Sequence, residues 1–599
     1  MIMIFQLFRN FNSYEDEDPT GPDDKKCDWF SPSREPGLHF DRLTRQQKQQ
    51  LKRPIDFFKL FFTLEFVTKI CQFTNLYAEA NIHQFVSYGS KDGSWSDEHH
   101  VTPPEFYKFM GLLIYMGLHS LPNLKLYWSS SWIYFNPVPR VFGSRLRFES
   151  ILQFLHVVNP MTEDRVSEGR LTKLKYFLDY IKQRCMDMYQ PRRKISIDER
   201  MVRSKGRSGM RQYIKDKPTK WGFKLWVLAD SSNGYTWNFD VYTGRDKDGN
   251  DNKVHGLGYR VVMKLMKNLL NQGYHVFFDN FYTGVDLLNK LFSEATLATG
   301  TILQSRRNFP PELKETSFEW NRGSERGDMR WTRIDDILCV QWKDKKLVTL
   351  MTTAYKHSPN EHQLVNRMIK NKDGKWEKTS IRRPTVVGHY NDGMGGVDLS
   401  DQLIGKYNLL KKTDKWWKTL FFHMIDIVVV NSHILYKTWI TENPNIVSEV
   451  WPGIGDVDEF VQNIGLRYPQ SDFRADLIAQ LMELNPSDLK DWLAHVDIRE
   501  PRKNTKKLPP KKKRPKKMSE TVCKIVDIEV RKPSKCVLCW NTSDKPSDKR
   551  SNIRTPFFCK GCKRFYCLSA KKQCMLEVHA ETPEGDQLRE LVMEKSRDR

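Results

Sequence analysis

The spacing of apolar residues divides the chain into segments of two periods. From Pro54 onward, apolar residues recur three and four positions apart in DFFKLFFTLEFVTKICQFTN, and the same spacing returns in PPEFYKFMGLLIYMGL and RFESILQFLHVVN. This spacing is typical of helices that bury one face. The pattern predicts a mostly helical domain over residues 51–193.

The period changes to that of strands at residue 194. Four segments predict strands, with a helix on either side of the last of them: KISID, WGFKLWVLAD, YTWNFDVYTG and YHVFFDN. This order favours an α/β sheet with a mixed strand arrangement over residues 194–309. Short apolar segments and polar turns then alternate through residues 310–385, which predicts a β-rich insertion.

Helical spacing returns at Val397, directly after two glycines. A helix that begins there would place four apolar side chains on one face: Leu399, Leu403, Tyr407 and Leu410. Asp398 and Asp401 lie on the other side of that helix. Glycines permit a sharp entry or a close backbone approach. Acids in a first helical turn are also favoured by the helix dipole, so capping is an alternative explanation of the two aspartates.

The charge of the chain indicates a polyanionic partner. Lys and Arg number 97 against 73 Asp and Glu, and the net charge of +24 suits either nucleic acid or an acidic membrane surface. The most apolar stretch, Phe421 to Tyr436, contains His423 and Asp426, which predicts a buried helix and no membrane span. Hydrophobic residues make up 39% of the chain and aromatic residues 12%, a composition that excludes global disorder.

Two polar segments lie outside the predicted folded domains. Residues 10–24 carry six acids and no base, so residues 1–50 are predicted to be an acidic disordered tail. Residues 501–520 hold ten bases, one acid and four prolines, which predicts a basic linker over residues 501–534. A solvated tether is one interpretation, and a nuclear-import signal or a DNA-backbone contact is favoured. The bases of the predicted signal are Lys511, Lys512, Lys513, Arg514, Lys516 and Lys517.

Cysteines cluster between residues 535 and 582, which indicates a metal site rather than a disulfide framework. Two C-x-x-C pairs stand about twenty residues apart, a spacing at which each pair can bind one side of a tetrahedral zinc ion. The candidate ligands are Cys536, Cys539, Cys559, Cys562, Cys567, Cys574 and His579. Seven ligands exceed one four-ligand site and fall short of two, so one or two Zn²⁺ ions are predicted. Residues 583–599 are predicted to be a carboxyl-terminal tail.

Acidic residues follow two of the predicted strands. Asp198 comes after KISI and Asp279 after YHVFF, at the ends where α/β sheets gather ligand-binding groups. Each aspartate alone is as well explained as a helix cap or turn former. If these carboxylates converge with Asp398, they would repel one another unless cations neutralised them, and hard oxygen ligands favour Mg²⁺ or Mn²⁺. Two such ions suit a phosphodiester displacement.

Four sequence blocks together resemble the piggyBac transposase family. The blocks are SIDER, MRQYIKDKPTKWGFK, FDNFYT and GGVDLSDQ, in the family's order, and with the cysteine cluster the resemblance spans roughly residues 54–582. It implies an RNase H-like DDE/D catalytic core over residues 194–309 and 386–410, interrupted by the insertion at 310–385. It also implies a helical dimerisation and DNA-binding domain over residues 51–193 and 411–500.

The resemblance also implies roles for single residues. Asp198, Asp279 and Asp398 match the three metal-binding catalytic aspartates, and Asp401 matches a nearby fourth. The family performs cut-and-paste DNA transposition through strand cleavage at the element ends, transient hairpins and insertion at TTAA. Its cysteine-rich domain is cross-braced around two zinc ions and recognises the DNA of the element ends. These properties imply a homodimer that acts on double-stranded DNA.

Basic residues interleaved with aromatic ones predict DNA contacts after Asp198. Eight bases and one acid lie between Arg203 and Lys224, and we expect phosphate contacts from Arg207, Arg211, Lys217 and Lys220 rather than a solvated loop. In LKKTDKWWKTL, Trp416 matches a family tryptophan close to the active site, whereas Trp417 is predicted to pack in the core.

One segment departs from the family pattern. Where the family commonly has Arg and Asn in GT-x-R-x-N, this chain has Leu303 and Ser305, although Arg306 and Arg307 remain as candidate DNA contacts. The leading hypothesis is a nuclear piggyBac-like transposase, and the alternative is a domesticated DNA-binding protein that no longer transposes. Zinc-mediated protein interaction through the terminal domain is compatible with both.

Overall fold

The computed structural model describes residues 29–484 apart from short gaps, together with the backbones of three strands nearer the carboxyl end. The gaps are at residues 42, 83–94, 96–98, 132, 163–168, 207, 216, 245–254, 356–361, 371–373, 410–412 and 414. The chain divides into two compact units, Met1–Asp497 and Ile498–Arg599. Each unit is described separately below.

Helices dominate the first unit up to residue 188. They are α1 (Arg45–Gln49), α2 (Pro54–Lys59), α3 (Leu64–Asn81), α4 (Pro103–Leu118), α5 (Val138–Phe142), α6 (Arg145–Phe154) and α7 (Lys175–Met188). Thr63, Thr102 and Ser144 each accept a hydrogen bond from the backbone N–H three residues further on, and so cap α3, α4 and α6. The apolar faces meet in an aromatic core, in which the rings of Phe58 and Phe62 stack at 5.1 Å. The helical pattern predicted from apolar spacing is confirmed.

The amino-terminal tail predicted over residues 1–50 is too long. The ring of Phe30 contacts that of Tyr274 edge-on at 5.2 Å. Arg34 donates hydrogen bonds to the side-chain oxygen of Gln190 and to two backbone carbonyls of α7. The prediction is therefore wrong for residues 29–50, because apolar and basic residues after the acidic stretch dock on the folded unit. Residues 1–28 lie outside the described residues.

A nine-stranded mixed sheet forms the centre of the first unit. Its strands are β3 (Lys194–Arg203), β4 (Gln212–Tyr213), β5 (Trp221–Asp230), β6 (Thr236–Val241), β7 (His275–Phe278), β8 (Leu297–Thr301), β9 (Met329–Ile334), β10 (Ile337–Lys343) and β11 (Leu347–Thr352). The order is β4-β5-β3-β7-β8-β11-β10-β9, with β6 also paired to β5. The pairs β3–β7 and β7–β8 are parallel, and the other pairs of this sheet are antiparallel. Before it, β1 (Gly37–Leu38) pairs with β2 (Tyr189–Gln190).

Two helices stand on either side of β7 along the chain, as their apolar spacing predicted. They are α8 (Leu257–Met266) and α9 (Val285–Ser293). Helix α9 connects β7 and β8, which run parallel. Parallel strands cannot be joined by a tight turn and need a crossover connection of this kind. The prediction of a mixed α/β architecture is confirmed.

Residues 310–385 contain five strands after two short helices, α10 (Pro311–Glu315) and α11 (Ser317–Gly323). Strands β9 to β11 continue the central sheet, because β11 pairs with β8. The last two strands, β12 (His362–Lys370) and β13 (Trp376–Pro384), pair only with each other among the described strands and form an antiparallel ribbon. A second, smaller apolar core lies between this ribbon and the edge of the sheet, around Leu338 and Trp342.

Helices return after the ribbon. They are α12 (Thr385–Met394), α13 (Gly396–Gly405), α14 (Trp416–Glu442), α15 (Asn445–Val450), α16 (Val457–Gln462), α17 (Ile464–Arg467) and α18 (Gln470–Met482). Helix α14 alone among the described residues is long and apolar enough to cross a membrane, and its most apolar window is 100% buried within the protein. The prediction of a buried helix at Phe421–Tyr436 is therefore confirmed. Within it, the buried Asn431 exchanges two hydrogen bonds with the backbone of Thr236.

The second unit contains a three-stranded antiparallel sheet in its described part. The strands are β14 (Ile528–Lys535), β15 (Arg554–Cys559) and β16 (Arg564–Phe565).

Candidate active site

Two neighbouring parallel strands bring Asp198 and Asp279 together. Ile197 of β3 is paired with Phe278 of β7, and each aspartate is the next residue along the chain. Oxygens of these two carboxylates and of Glu199 lie within 4.8 Å of one another. Asp198 is not at the end of its strand as predicted, because β3 continues to Arg203 in its pairing with β5. It lies instead where the parallel pairing with β7 stops.

The environment of Asp198 disfavours its charge. Only 13% of the side chain is exposed, and burial raises the pKa of Asp198 to about 7. Two groups act in the opposite direction: the ammonium of Lys217 lies 3.5 Å from Oδ2, and the backbone N–H of Glu199 donates to Oδ1 at 2.7 Å. The site as it stands therefore holds less positive charge than its carboxylates require.

Asp279 is fixed at the start of a short loop. Its carboxylate accepts a hydrogen bond from the backbone N–H of Phe281 at 2.9 Å. Burial raises the pKa of Asp279, and the nearby negative charge of Glu199 adds to that effect. Arg306, a predicted DNA contact, also holds this loop, because its Nη2 donates to the carbonyls of Asn280 at 2.5 Å and Phe281 at 2.7 Å.

The sequence analysis missed Glu199. Its side chain is 10% exposed and accepts a hydrogen bond from Lys224 Nζ at 2.7 Å. Strict alternation along a strand would place Glu199 on the face opposite Asp198, so strand periodicity argued against its joining the site. The sequence signal that could have identified Glu199 is its position directly after Asp198, at the point where the parallel pairing of β3 with β7 ends.

Helix α13 begins against the central sheet because of a glycine. A Cβ on Gly396 would lie 2.6 Å from Ser196 Oγ and 2.8 Å from the carbonyl oxygen of Asp230, distances that real side chains do not adopt. The next residue, Val397, donates its backbone N–H to Ser196 Oγ at 3.2 Å. Close backbone approach therefore explains this glycine, and it brings the first turn of α13, with Asp398, beside the strand that carries Asp198.

The packing face predicted for this helix is wrong. The buried residues of α13 are Gly396, Val397, Ser400 and Ile404. Leu399 and Leu403 are half-buried, Tyr407 follows the helix, and Leu410 lies outside the described residues. The hydroxyl groups of Ser400 and Thr236 are 3.0 Å apart. Small side chains face the sheet because the helix lies so close to it, and apolar spacing alone favours the larger leucines.

Asp398 lines a cleft beside the group formed by Asp198, Glu199 and Asp279, but it is not a member of that group. The cleft has a volume of about 1010 Å³, and Asp398 lines it together with Glu199 and Lys217. Burial alone would lower the pKa of Lys217, but the charges of Asp198, Glu199 and Asp398 outweigh burial and raise it. Lys217 therefore lies within electrostatic reach of both Asp198 and Asp398, and Asp279 lies beside Asp198.

Asp401 has a cationic partner instead of a place among the carboxylates. It accepts a short hydrogen bond from Nε of Arg200, whose side chain is 2% exposed, while that of Asp401 is 38% exposed. Both Nη atoms of Arg200 are buried without a hydrogen-bond partner in the described part of the chain. The supporting carboxylate predicted at this position thus neutralises a buried guanidinium on β3.

A basic and aromatic surface adjoins the cleft. The guanidinium of Arg211 lies 4.5 Å from the ring centre of Trp221, and the rings of Trp221 and Tyr213 are 4.9 Å apart. Both aromatic side chains are about half exposed, at 49% and 52%. Lys220 is also exposed here. Arg207 lies outside the described residues.

The remaining predicted contacts differ in exposure. Arg307 is exposed, and so is Leu303 at 48%. Trp416 is half-buried and lies edge-on to Phe223 at 6.2 Å. Trp417 is 3% exposed, which confirms the prediction that it packs in the core.

Two predicted features fall outside the described residues. The bases of the import signal, Lys511 to Lys517, lie there, and so do six of the seven candidate zinc ligands. Of the seventh, Cys559, the structure describes only the backbone at the end of β15.

The carboxylate group fits a divalent metal ion. Oxygen atoms from three carboxylates within 4.8 Å provide the hard ligands that Mg²⁺ or Mn²⁺ prefers. Burial raises the pKa of Asp198, and a bound cation would stabilise the ionised form of this carboxylate. Asp198, Glu199 and Asp279 can hold such an ion, and Asp398 lines the adjoining cleft together with Glu199.

Several known proteins are similar to this chain. The human protein called PiggyBac transposable element-derived protein 3 is 29% identical over 395 residues, which are 65% of this chain and 62% of that protein. PiggyBac transposable element-derived protein 2, also human, is 26% identical over 402 residues, which are 65% of this chain and 62% of its length. The alignments thus span about three-fifths of the length of these relatives.

A solved structure shares the fold. It is a chain of the cryo-EM structure of a piggyBac transposase synaptic complex with hairpin DNA, with a TM-score of 0.58 at 22% identity. The match covers 89% of this chain and 98% of that chain. Residues 53–433 match the family described as Transposase IS4. The chain therefore belongs to the Transposase IS4 family, and the resemblance to piggyBac transposases that its sequence blocks predicted is confirmed.

Proposed function

We propose that this protein is a piggyBac-like DNA transposase that performs cut-and-paste transposition by metal-dependent phosphodiester hydrolysis and strand transfer at TTAA targets. The observation that carries the proposal is the meeting of Asp198, Asp279 and Glu199 within 4.8 Å, beside a cleft that Glu199 lines together with Asp398. Under this proposal, residues 194–309 and 386–410 form an RNase H-like catalytic core around the insertion at 310–385.

The catalytic chemistry needs the carboxylates in their ionised form. Asp198, Asp279 and Asp398 would hold two Mg²⁺ or Mn²⁺ ions, and bound ions of this kind activate an oxygen nucleophile and stabilise the leaving oxygen. Lys217 contributes positive charge beside Asp198, and Lys224 holds Glu199 in a buried ion pair. Gly396 sets the distance between the helix of Asp398 and strand β3. These residues position the site before DNA arrives.

The surface beside the cleft suits the DNA backbone. Lys220 and Arg307 are exposed and Arg211 is half-buried, and these cationic groups would contact phosphates together with Arg207 and Lys217. The exposed rings of Tyr213 and Trp221 suit stacking on bases that are unpaired near a cleavage point. Trp416 is less accessible for this purpose, because it is half-buried against Phe223. The solved relative is a transposase complex with hairpin DNA, which supports double-stranded DNA with hairpin ends as a substrate.

Further parts of the proposal concern assembly and location. Residues 51–193 and 411–500 would form a dimerisation and DNA-binding domain of a homodimer. The cysteine-rich segment 535–582 would bind one or two Zn²⁺ ions and recognise element ends, and the bases at 511–517 would direct the protein to the nucleus. Zinc content by metal analysis and the location of a protein lacking residues 506–517 test these parts separately.

Substitution of the carboxylates tests the proposed chemistry. The substrate is DNA carrying the terminal repeats that flank the gene's own genomic copy. We expect Asp198→Asn, Asp279→Asn and Asp398→Asn to abolish Mg²⁺-dependent cleavage while DNA binding in EDTA is retained. The exposed Asp458→Asn serves as the matched control and should cleave normally. Persistent cleavage by any one of the three variants would remove that residue from the catalytic set.

A second candidate function is DNA binding without transposition. Leu303 favours it, because this exposed residue stands where the family commonly has an arginine. On this alternative, the wild-type protein binds terminal-repeat DNA but excises nothing, and Leu303→Arg restores part of the reaction. Efficient excision and integration by the wild-type protein would refute it.

A further inference from the structure

The two faces of the β12–β13 ribbon differ sharply in their surroundings. Val365, Ile369 and Ile381 point inward and belong to the small core beneath the ribbon. On the same side, Arg367 Nε lies 3.2 Å from the carboxylate of Asp344. The apolar part of this inner face thus packs on the small core and fixes the ribbon against the edge of the central sheet.

The outer ribbon face consists of the alternate residues on both strands. Its members are His362, Leu364, Asn366, Met368 and Lys370 on β12, and Trp376, Lys378, Ser380, Arg382 and Pro384 on β13. It exposes three large apolar side chains, Leu364 at 68%, Met368 at 55% and Trp376 at 67%. Lys370, Lys378 and Arg382 are exposed as well, and the face has no acidic residue.

The register places a base opposite every exposed apolar residue. Leu364 pairs with Arg382, Met368 with Lys378, and Trp376 with Lys370. A protein interface usually has a continuous apolar centre with charges at its rim. Here a base and an apolar group lie about 5 Å apart across the strands at three of the five pairs of this face, and the polar pair Asn366–Ser380 stands between the first two of them. This repeat suits a partner whose own surface alternates charged and apolar groups.

Duplex DNA is such a partner. Phosphates line each groove, and sugars, base edges and thymine methyl groups lie between them. A two-stranded ribbon fits the major groove, which is about 12 Å wide. Nine residues per strand give a ribbon roughly 30 Å long, close to one helical turn of DNA.

We propose that the outer ribbon face is a duplex-DNA binding surface separate from the carboxylate cleft. Lys370, Lys378 and Arg382 bind phosphates, and Leu364, Met368 and Trp376 contact sugars and base edges inside the groove. The inference rests on the proposed function in taking DNA as the substrate. Strand β13 continues directly into α12, and α13 with Asp398 follows. The ribbon therefore holds DNA on the segment that leads to the active site.

The salt dependence of DNA binding tests this surface. The full-length triple variant Lys370→Ala, Lys378→Ala and Arg382→Ala is compared with wild type on a mixed-sequence duplex in EDTA, by fluorescence anisotropy over a series of salt concentrations. Loss of three phosphate contacts should reduce the slope of log K against log salt by about 2 to 3. The matched control removes three exposed lysines of the same region, at positions 314, 345 and 346, and should leave the slope unchanged.

A second variant separates the apolar contacts from the charges. Trp376→Ala should lower affinity at every salt concentration while the slope stays the same. An unchanged slope in the triple variant would overturn the proposal, and a changed oligomeric state with an unchanged slope would assign the face to a second copy of the chain. Because EDTA prevents cleavage, failure of the proposed catalysis leaves this result unaffected, and failure here leaves the cleavage test intact.

Discussion

Replacing Asp198 with asparagine should stabilise the metal-free protein at pH 8. The folded-state pKa of Asp198, about 7, lies above its ordinary value of 3.8. Stability associated with this group is therefore fully present below pH 3.8 and is lost as the pH rises to 7. At about 1.4 kcal/mol per pKa unit, a shift of about three units costs wild type about 4 kcal/mol. The attraction of Lys217 is already included in this shift, so with an allowance for imperfect packing of the amide we expect a net stabilisation of about 1 to 4 kcal/mol.

Urea unfolding of the wild type and Asp198→Asn at pH 8 measures this difference. In EDTA the variant should unfold at a higher urea concentration, and addition of Mg²⁺ should stabilise wild type more than the variant. At pH 4 the two proteins should differ little, because the wild-type carboxyl is then protonated in the folded state and only partly ionised in the unfolded state, where its pKa is 3.8. The surface substitution Asp458→Asn should shift neither curve appreciably. A variant less stable than wild type in EDTA at pH 8 would refute the reasoning, because the ion pair with Lys217 would then outweigh the cost of burial.

The other predictions concern the supports of the site and its metal. Gly396→Ala should lower the free energy of unfolding by about 1 to 3 kcal/mol and reduce cleavage, because its Cβ would overlap the carbonyl of Asp230. Gly405→Ala is the control, because a Cβ at that position meets open space. Equal effects of the two substitutions would contradict the close-approach argument. Asp401→Asn should destabilise the fold by about 1 to 3 kcal/mol by leaving Arg200 buried without its counter-ion; normal stability with lost cleavage would instead indicate a catalytic carboxylate. Mg²⁺ affinity should increase between pH 6 and pH 8 with release of a proton from Asp198, which calorimetry in two buffers detects. A pH-independent affinity would show that this carboxyl is not a ligand.

The sequence predicted the elements of the site better than their contacts. Apolar runs identified β3 and β7, and the aspartates that follow those runs do meet. Glu199 was missed because the alternation of side chains between the two faces of a strand need not hold where a neighbouring strand ends. Arg306 appeared as a free base in the sequence, yet folding places it against the carbonyls of the Asp279 loop.

The errors on α13 and the amino-terminal segment both concern tertiary packing, which apolar spacing does not describe. Periodicity weighs the size and hydrophobicity of side chains, whereas Gly396 and Ser400 are buried because they are small enough for close approach to the sheet. Phe30 and Arg34 dock through partners at Tyr274 and Gln190, which are far away in sequence. Contacts of that separation depend on the completed fold, and no local pattern contains them.

The long buried helix α14 sets an order for folding during synthesis. The ring of Phe57 in α2 lies edge-on to that of Tyr436 in α14 at 5.2 Å, across roughly 380 residues of chain. At a translation rate of about 5 to 20 residues per second, about 20 to 75 seconds pass between the synthesis of Phe57 and that of Tyr436. During that interval the nascent chain exposes the apolar surface that α14 later covers. Any product truncated before Trp416 keeps that surface exposed, which makes it a substrate for chaperones and a nucleus for aggregation.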